Sequence, residues 1–253
     1  MVSTHSLIHH PNGQTTHIVD DNFTDPWKPS ETILIQHGFA RHTAFWYHWV
    51  PVLSRQYRVI RRDLRGHGLS STGDDPNYDY SVQTICDEII DTLDQLKIDR
   101  VHFLGESTSG MLGEILAARH PDRLHSLIIC SRGWGEALAQ FPGTLSITDP
   151  EYTSWWKDQV AVSSGEGLAK YAQFLSTLDS RPFLKDVRIP MLILAPANSA
   201  ATRLEEQKSI KEAIPNAELV VINGKGHEIY VEMAEECQKA VLNFLHGLRQ
   251  RPE

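Results

Sequence analysis

Short runs of β-branched and aliphatic residues recur along the chain. Most are followed by a longer stretch in which apolar positions return every three or four residues. Thr32-Ile33-Leu34-Ile35 predicts a buried strand that ends at His37-Gly38. Further strands are expected over 57–61, 101–104, 124–130, 191–195 and 219–222. The stretch 81–96 sets Val82, Ile85, Ile89, Leu93 and Leu96 three and four residues apart, the spacing of a helix lying against a sheet. Helices are also expected over 44–53, 111–119, 204–213 and 231–248. Ahead of all these, 5–20 holds two weakly alternating segments around Pro11-Asn12-Gly13, where Asn-Gly signals a hairpin. Strands alternating with helices predict an α/β chain, with a mostly parallel, doubly wound sheet covered on both faces.

The rhythm breaks after Cys130. No strand is expected over 131–188, while Trp134, Phe141, Tyr152, Trp155, Trp156, Tyr171, Phe174 and Phe183 crowd together. The chain therefore divides into a core, 1–131 and 189–253, and a helical cap over 132–188 at one end of the sheet. The aromatic residues either form the interior of that insertion or line a ligand site, with Trp134, Trp155 and Trp156 as candidate substrate contacts.

Charge and composition narrow the partners. The 253 residues carry 24 Lys and Arg against 32 Asp and Glu, a net charge of −8. The one basic cluster, Arg61, Arg62 and Arg65, is interrupted by Asp63, which argues against nucleic acid. No apolar stretch approaches the roughly 20 residues that span a bilayer. The first ten residues lack a signal-peptide core. Cys86, Cys130 and Cys237 are too few and too scattered for a disulfide framework or a zinc site, which points to the reducing cytoplasm. His9-His10 and the pair His42 and His48 lack carboxylate or thiol partners at ligand spacing, so no metal is expected. A homodimer stays open alongside the monomer.

In parallel sheets, reactive groups collect in loops at the carboxyl ends of strands. Gly105-Glu106-Ser107-Thr108-Ser109-Gly110 stands between an expected strand and an expected helix. A Gly-x-Ser turn at such a junction holds its serine strained and exposed, with helix N–H groups beside it for a developing oxyanion. The same tripeptide pattern at Gly68-Leu69-Ser70 lacks that setting. His37-Gly38-Phe39-Ala40 is either a simple tight turn or a backbone donor site that brings the Phe39 N–H near the Thr108 N–H. Losing one such donor costs about 2.7–4 kcal/mol in the barrier. Asn223-Gly224-Lys225-Gly226-His227 follows the last strand, where its glycines let an imidazole reach over the sheet edge as a base for Ser107.

With these loops in place, the sequence resembles the α/β-hydrolase superfamily over nearly its whole length. The matching features are His37-Gly38, Asp63-Leu64-Arg65-Gly66-His67-Gly68-Leu69-Ser70, the turn around Ser107, His120-Pro121-Asp122-Arg123-Leu124, and Gly224 to His227. The likeness is greatest to the enol-lactonase and small-esterase branch. It implies a Ser107 nucleophile, a His227 base, an oxyanion hole from the Phe39 and Thr108 N–H groups, and no cofactor. Two departures stand out. Ser109 occupies a place usually held by glycine, with Gly110 one residue later. The loop after 191–195 reads Pro196-Ala197-Asn198-Ser199-Ala200-Ala201-Thr202, without the carboxylate that usually orients the histidine.

A histidine without its acid needs another acceptor to fix its tautomer. Asn198 could orient it through its side-chain carbonyl, and Glu136 could supply the acid from the end of the preceding strand. A Ser–His dyad, or Glu205 or Glu206, is the remaining choice, although the latter two suit a solvated helix face. Glu106 could tune the imidazole, touch a substrate or simply pack locally. The expected activity is hydrolysis of a carboxylic ester or lactone through a Ser107 acyl-enzyme. The alternatives are carbon–carbon hydrolysis of a diketone, and a ligand-binding or receptor role on a hydrolase fold with weak turnover.

Overall fold

Asn12-Gly13 turns the chain between β1 (Val2–His9) and β2 (Thr15–Asn22), which pair antiparallel as the hairpin signal predicts. The structure, a computed structural model, describes residues 2–73, 77–132, 149–199, 201–224 and 226–250. The other strands are β3 (Thr32–Gln36), β4 (Arg58–Arg62), β5 (Val101–Glu106), β6 (Leu124–Cys130), β7 (Met191–Pro196) and β8 (Ala217–Ile222). They form one eight-stranded sheet in the order β1-β2-β4-β3-β5-β6-β7-β8. From β4 onward through β3, β5, β6, β7 and β8 every pairing is parallel.

Because side chains alternate across a strand, each central strand feeds two interiors. Leu34, Phe103 and Leu127 face one side, against α2 (Val82–Gln95) and α3 (Thr108–Arg119). Ile33, Ile35, Leu104 and Ile128 face the other, against Trp49 and Leu53 and the C-terminal α8 (Ala234–Arg249). Burial on both faces explains why these strands read as unbroken apolar runs.

The helix expected over 44–53 is divided. A 3-10 turn covers Thr43–Trp46, and the short α1 covers Val50–Leu53. Pro51 lacks the N–H that a continuous helix would need there, so the helix restarts around it. The helix expected over 231–248 is also split, into α7 (Ile229–Glu232) and α8, at Met233, whose backbone is not helical (φ −124°, ψ 43°). Between β6 and β7 the described residues hold no strand. They form α4 (Pro150–Val160), α5 (Gly165–Leu175) and a 3-10 turn at Arg181–Asp186, while α6 (Leu204–Ala213) follows β7. Asp149 and Ser164 cap α4 and α5 by accepting hydrogen bonds from backbone N–H groups in their first turns.

Buried polar groups tie the loops at the carboxyl edge. Asp63, just past β4, accepts hydrogen bonds from the N–H groups of Thr43 (2.7 Å) and Leu69 (3.1 Å) and from His17 Nδ1 (2.7 Å). Burial alone would raise its pKa, but the His17 hydrogen bond and the surrounding donors outweigh that and hold it at about 2. Asp63 therefore stays ionised, fixing the turn after β4 to the turn after β3.

Candidate active site

The end of β5 carries the first element of the site. Ser107 has φ 52° and ψ −116°, a conformation that strains a non-glycine residue. The surroundings hold it there. Its N–H donates to the Cys130 carbonyl at 2.9 Å, and the Gly110 N–H donates back to the Ser107 carbonyl at 3.0 Å. Gly105 makes the turn sterically feasible, since a Cβ there would lie 2.7 Å from the Ser109 carbonyl carbon. Gly105→Ala is expected to cost about 1–3 kcal/mol, as overpacking does, and to displace Ser107. Thermal unfolding and the rate of serine labelling check this together.

Ser109 stands where the resemblance would have put glycine. Its hydroxyl is buried and donates to the His37 carbonyl at 2.6 Å, locking the serine turn to the turn after β3. His37 is itself fixed there: Nδ1 bonds the Gly38 carbonyl (2.7 Å), and the Leu64 N–H donates to Nε2 (2.9 Å). Burial holds its pKa well below the usual imidazole value, so the ring is neutral.

The loop after β8 brings His227 back over the same edge. Ser107 Oγ and His227 Nε2, 120 residues apart in sequence, stand 3.0 Å apart, both buried. Burial lowers the His227 pKa to about 4, with Glu228 opposing that shift and Arg41 adding to it. The imidazole is a free base at neutral pH, as a proton acceptor must be.

Three ionisable groups that sequence reasoning undervalued surround this pair. Arg41, two residues past Phe39, forms a buried ion pair with Glu228, the residue after His227. Its guanidinium lies 4.6 Å from the Trp156 ring centroid and 5.4 Å from that of Phe45. Burial works against its charge, but Glu228 more than compensates, and the Arg41 pKa lies above its ordinary value. Glu106 is buried beside the nucleophile; its Oε2 accepts the Gly38 N–H at 2.6 Å and its Oε1 stands 3.6 Å from His227 Nε2. The one available signal for Glu228 was its adjacency to His227. Arg41 and Glu228 are 187 positions apart, and only folding pairs them.

The other expected residues are placed as follows. Thr108 opens α3, whose first N–H groups have no partner within the helix, and Phe39 follows Gly38 in the facing turn. Asn198 is not brought to His227. It is exposed, and its Nδ2 donates to the Gly224 carbonyl (3.4 Å), while His227 Nδ1 has no hydrogen-bond partner among the described residues. Glu206 pairs with Arg203 (Nε to Oε1 2.9 Å) and Glu205 is exposed, both on α6. Trp156 reaches the site through Arg41. Trp155 instead packs on Phe45 and lines an open cleft of about 670 Å³ with Tyr47, Tyr152 and Arg61. Trp134 and Glu136 lie outside the described residues.

Comparison with known proteins bears on this geometry. Residues 31–159 match the family model described as alpha/beta hydrolase fold. The chain belongs to the α/β-hydrolase family. Residues 175–250 also match a model described as TAP-like protein. Among curated α/β-hydrolase relatives, 3-oxoadipate enol-lactonase 2 of Acinetobacter baylyi (strain ATCC 33305 / BD413 / ADP1) is 26% identical, over 83% of this chain and 86% of that one. A RutD protein of Caulobacter sp. (strain K31) is also 26% identical, over 88% and 93%. The solved enol-lactonase from Burkholderia xenovorans LB400 superposes with a TM-score of 0.84 at 24% identity, over 95% of this chain and all of the other. The protein is a hydrolase with the fold of this family. Among the described residues, no helix is long and apolar enough to cross a membrane.

Proposed function

We propose that this hydrolase cleaves a carboxylic ester or lactone through an acyl-enzyme on Ser107, with His227 as general base. The observation that carries the proposal is the 3.0 Å approach of Ser107 Oγ to His227 Nε2 on a strained strand-to-helix turn. Ser107 Oγ attacks the carbonyl carbon as its proton passes to Nε2. The oxyanion is held by the Phe39 and Thr108 N–H groups, and Nε2 returns the proton to the leaving oxygen. Water, deprotonated by His227, then releases the acid. The reaction draws on no cofactor.

The enol-lactonase relatives support a lactone or enol ester as the acyl donor, and the aromatic residues of α4 favour an apolar or aromatic one. The three cysteines are free and buried, which suits the cytoplasm. A panel of nitrophenyl esters, lactones and a vinylogous diketone tests the reading. Turnover of esters and lactones is expected. Hydrolysis of small nitrophenyl esters with no lactone turnover removes the lactone preference, and turnover of the diketone alone replaces ester cleavage with carbon–carbon cleavage. One observation favours a second reading. Because His227 Nδ1 lacks a carboxylate partner among the described residues, a ligand-binding role with slow single-turnover modification of Ser107 is the competitor. Rapid multiple turnover eliminates it.

A further inference from the structure

Glu106 joins the two halves of the site. One carboxyl oxygen accepts the Gly38 N–H at 2.6 Å, and the other stands 3.6 Å from His227 Nε2, the nitrogen that faces Ser107 Oγ. The opposite nitrogen, Nδ1, is buried and has no hydrogen-bond partner among the described residues. When Nε2 takes the Ser107 proton, the imidazolium therefore finds a carboxyl within ion-pair distance on its Nε2 side.

We propose that Glu106 is the positioning residue that balances the charge of the His227 imidazolium, replacing from the Nε2 side the carboxylate that a triad supplies at Nδ1. The inference rests on the acyl-transfer reading and deepens it. As the Oγ–C bond forms, the Oγ–H bond breaks and its proton goes to Nε2, with ionised Glu106 carrying the compensating negative charge. As the bond to the leaving oxygen breaks, that oxygen takes the Nε2 proton. Water repeats the cycle in deacylation, and Glu106 ends in the state in which it began.

Several charged or titratable groups face this carboxyl. Arg41 comes from the turn after β3, His227 and Glu228 from the loop after β8, Tyr230 from α7, and Cys130 from the end of β6. Burial is the largest influence and raises the Glu106 pKa. The Glu228 carboxylate raises it further, Arg41 and the Gly38 N–H oppose, and the result is about 8. Burial pushes the Tyr230 and Cys130 pKa values well above their ordinary ranges, and His227 titrates near 4. Glu106 is then the group in this cluster that ionises near pH 8. Charge compensation strengthens as pH rises through that value, and Ser107 becomes more reactive with it.

The test uses a fluorophosphonate as probe and reads the labelling rate of Ser107 by mass spectrometry as a function of pH, which requires no knowledge of the natural substrate. In the wild type, the rate is expected to rise about tenfold between about pH 7 and pH 9, with a midpoint near 8. Glu106→Gln keeps an acceptor for the Gly38 N–H, and is expected to label slowly with that rise abolished. Glu228→Gln removes a carboxylate that raises the Glu106 pKa, so the midpoint is expected to move to lower pH. A Glu106→Gln protein that keeps the same rise, or a wild type whose rate is flat over this range, overturns the inference while leaving acyl transfer intact. If Glu106→Gln does not fold, as judged by circular dichroism, the Glu228→Gln midpoint decides: a downward shift supports the role and an unmoved midpoint overturns it. A wild type that never labels at Ser107 defeats the acyl-transfer reading, and this inference with it.

Discussion

Ser107→Ala is expected to lower ester hydrolysis by about 10⁴- to 10⁶-fold while leaving the fold intact. The lower figure allows for the residual catalysis that backbone donors and binding still supply, and the upper is the loss seen when the nucleophile of a cooperative acyl-transfer unit is removed. The structure gives the hydroxyl no role that would complicate the result. The Ser107 backbone is held by its N–H to Cys130 and by Gly110, and neither bond uses Oγ. Alanine keeps the Cβ, although it must still adopt the positive φ. His227→Ala is expected to fall by a similar amount, and the double variant by little more, because the two groups act as one unit. The kcat of purified variants on a nitrophenyl ester checks this. A loss of only a few fold in Ser107→Ala would mean that another nucleophile or a bound water does the work.

Glu114→Ala is expected to destabilise the protein by about 3–5 kcal/mol, the cost of breaking a buried ion pair by removing one member. At 2–4 °C per kcal/mol for a chain of this size, Tm falls by about 10 °C. Glu114 lies on α3, one helical turn and more behind the serine turn. Its Oε2 accepts from Arg132 Nε (3.2 Å), from an Arg132 terminal nitrogen (3.0 Å) and from the Ser180 hydroxyl (2.6 Å). Both side chains of the ion pair are fully buried. Gln207 on α6 completes the arrangement by donating to the Arg132 carbonyl at 2.6 Å. One carboxylate thus ties α3 to the chain leaving β6, to the segment before the 181–186 turn and, through Arg132, to α6. Replacing both members of this ion pair, as in Glu114→Leu with Arg132→Met, is expected to recover part of the loss. Thermal unfolding followed by circular dichroism decides. A Glu114→Ala protein that melts within 2 °C of wild type, roughly 1 kcal/mol or less, would show that the network contributes little.

Much of the architecture is legible in the order of residues because local rules and tertiary packing agree. The apolar runs at 32–35 and 101–104 are strands buried on both faces, and the three- and four-residue spacing through 82–96 is the buried face of α2. Ser107 and His227 are legible for a related reason: each stands at the carboxyl end of a parallel strand, where topology forces loops to converge. Helices α4 and α5, 11 residues each, carry helical spacing only in short form, Tyr152, Trp155 and Trp156 in one and Tyr171, Phe174 and Leu175 in the other, so their bounds are harder to place. Their caps, Asp149-Pro150 and Ser164, were the available boundary signals. The partner of His227 was the least legible feature. The expected position after β7 holds Asn198, whose amide is taken up by the Gly224 carbonyl on the exposed side of the turn. The carboxyl within ion-pair distance of the imidazole is that of Glu106, beside Ser107 in sequence, whereas Glu228, beside His227, is paired with Arg41 from 187 positions away. No spacing rule encodes such a contact.

The most direct test of the account is to trap the acyl-enzyme. Wild-type protein mixed with a nitrophenyl ester, quenched in acid within the first turnover and digested, is predicted to carry one acyl group on the peptide containing Ser107, and Ser107→Ala is predicted to carry none. Turnover with no acyl adduct, or with the adduct on another residue, would contradict it.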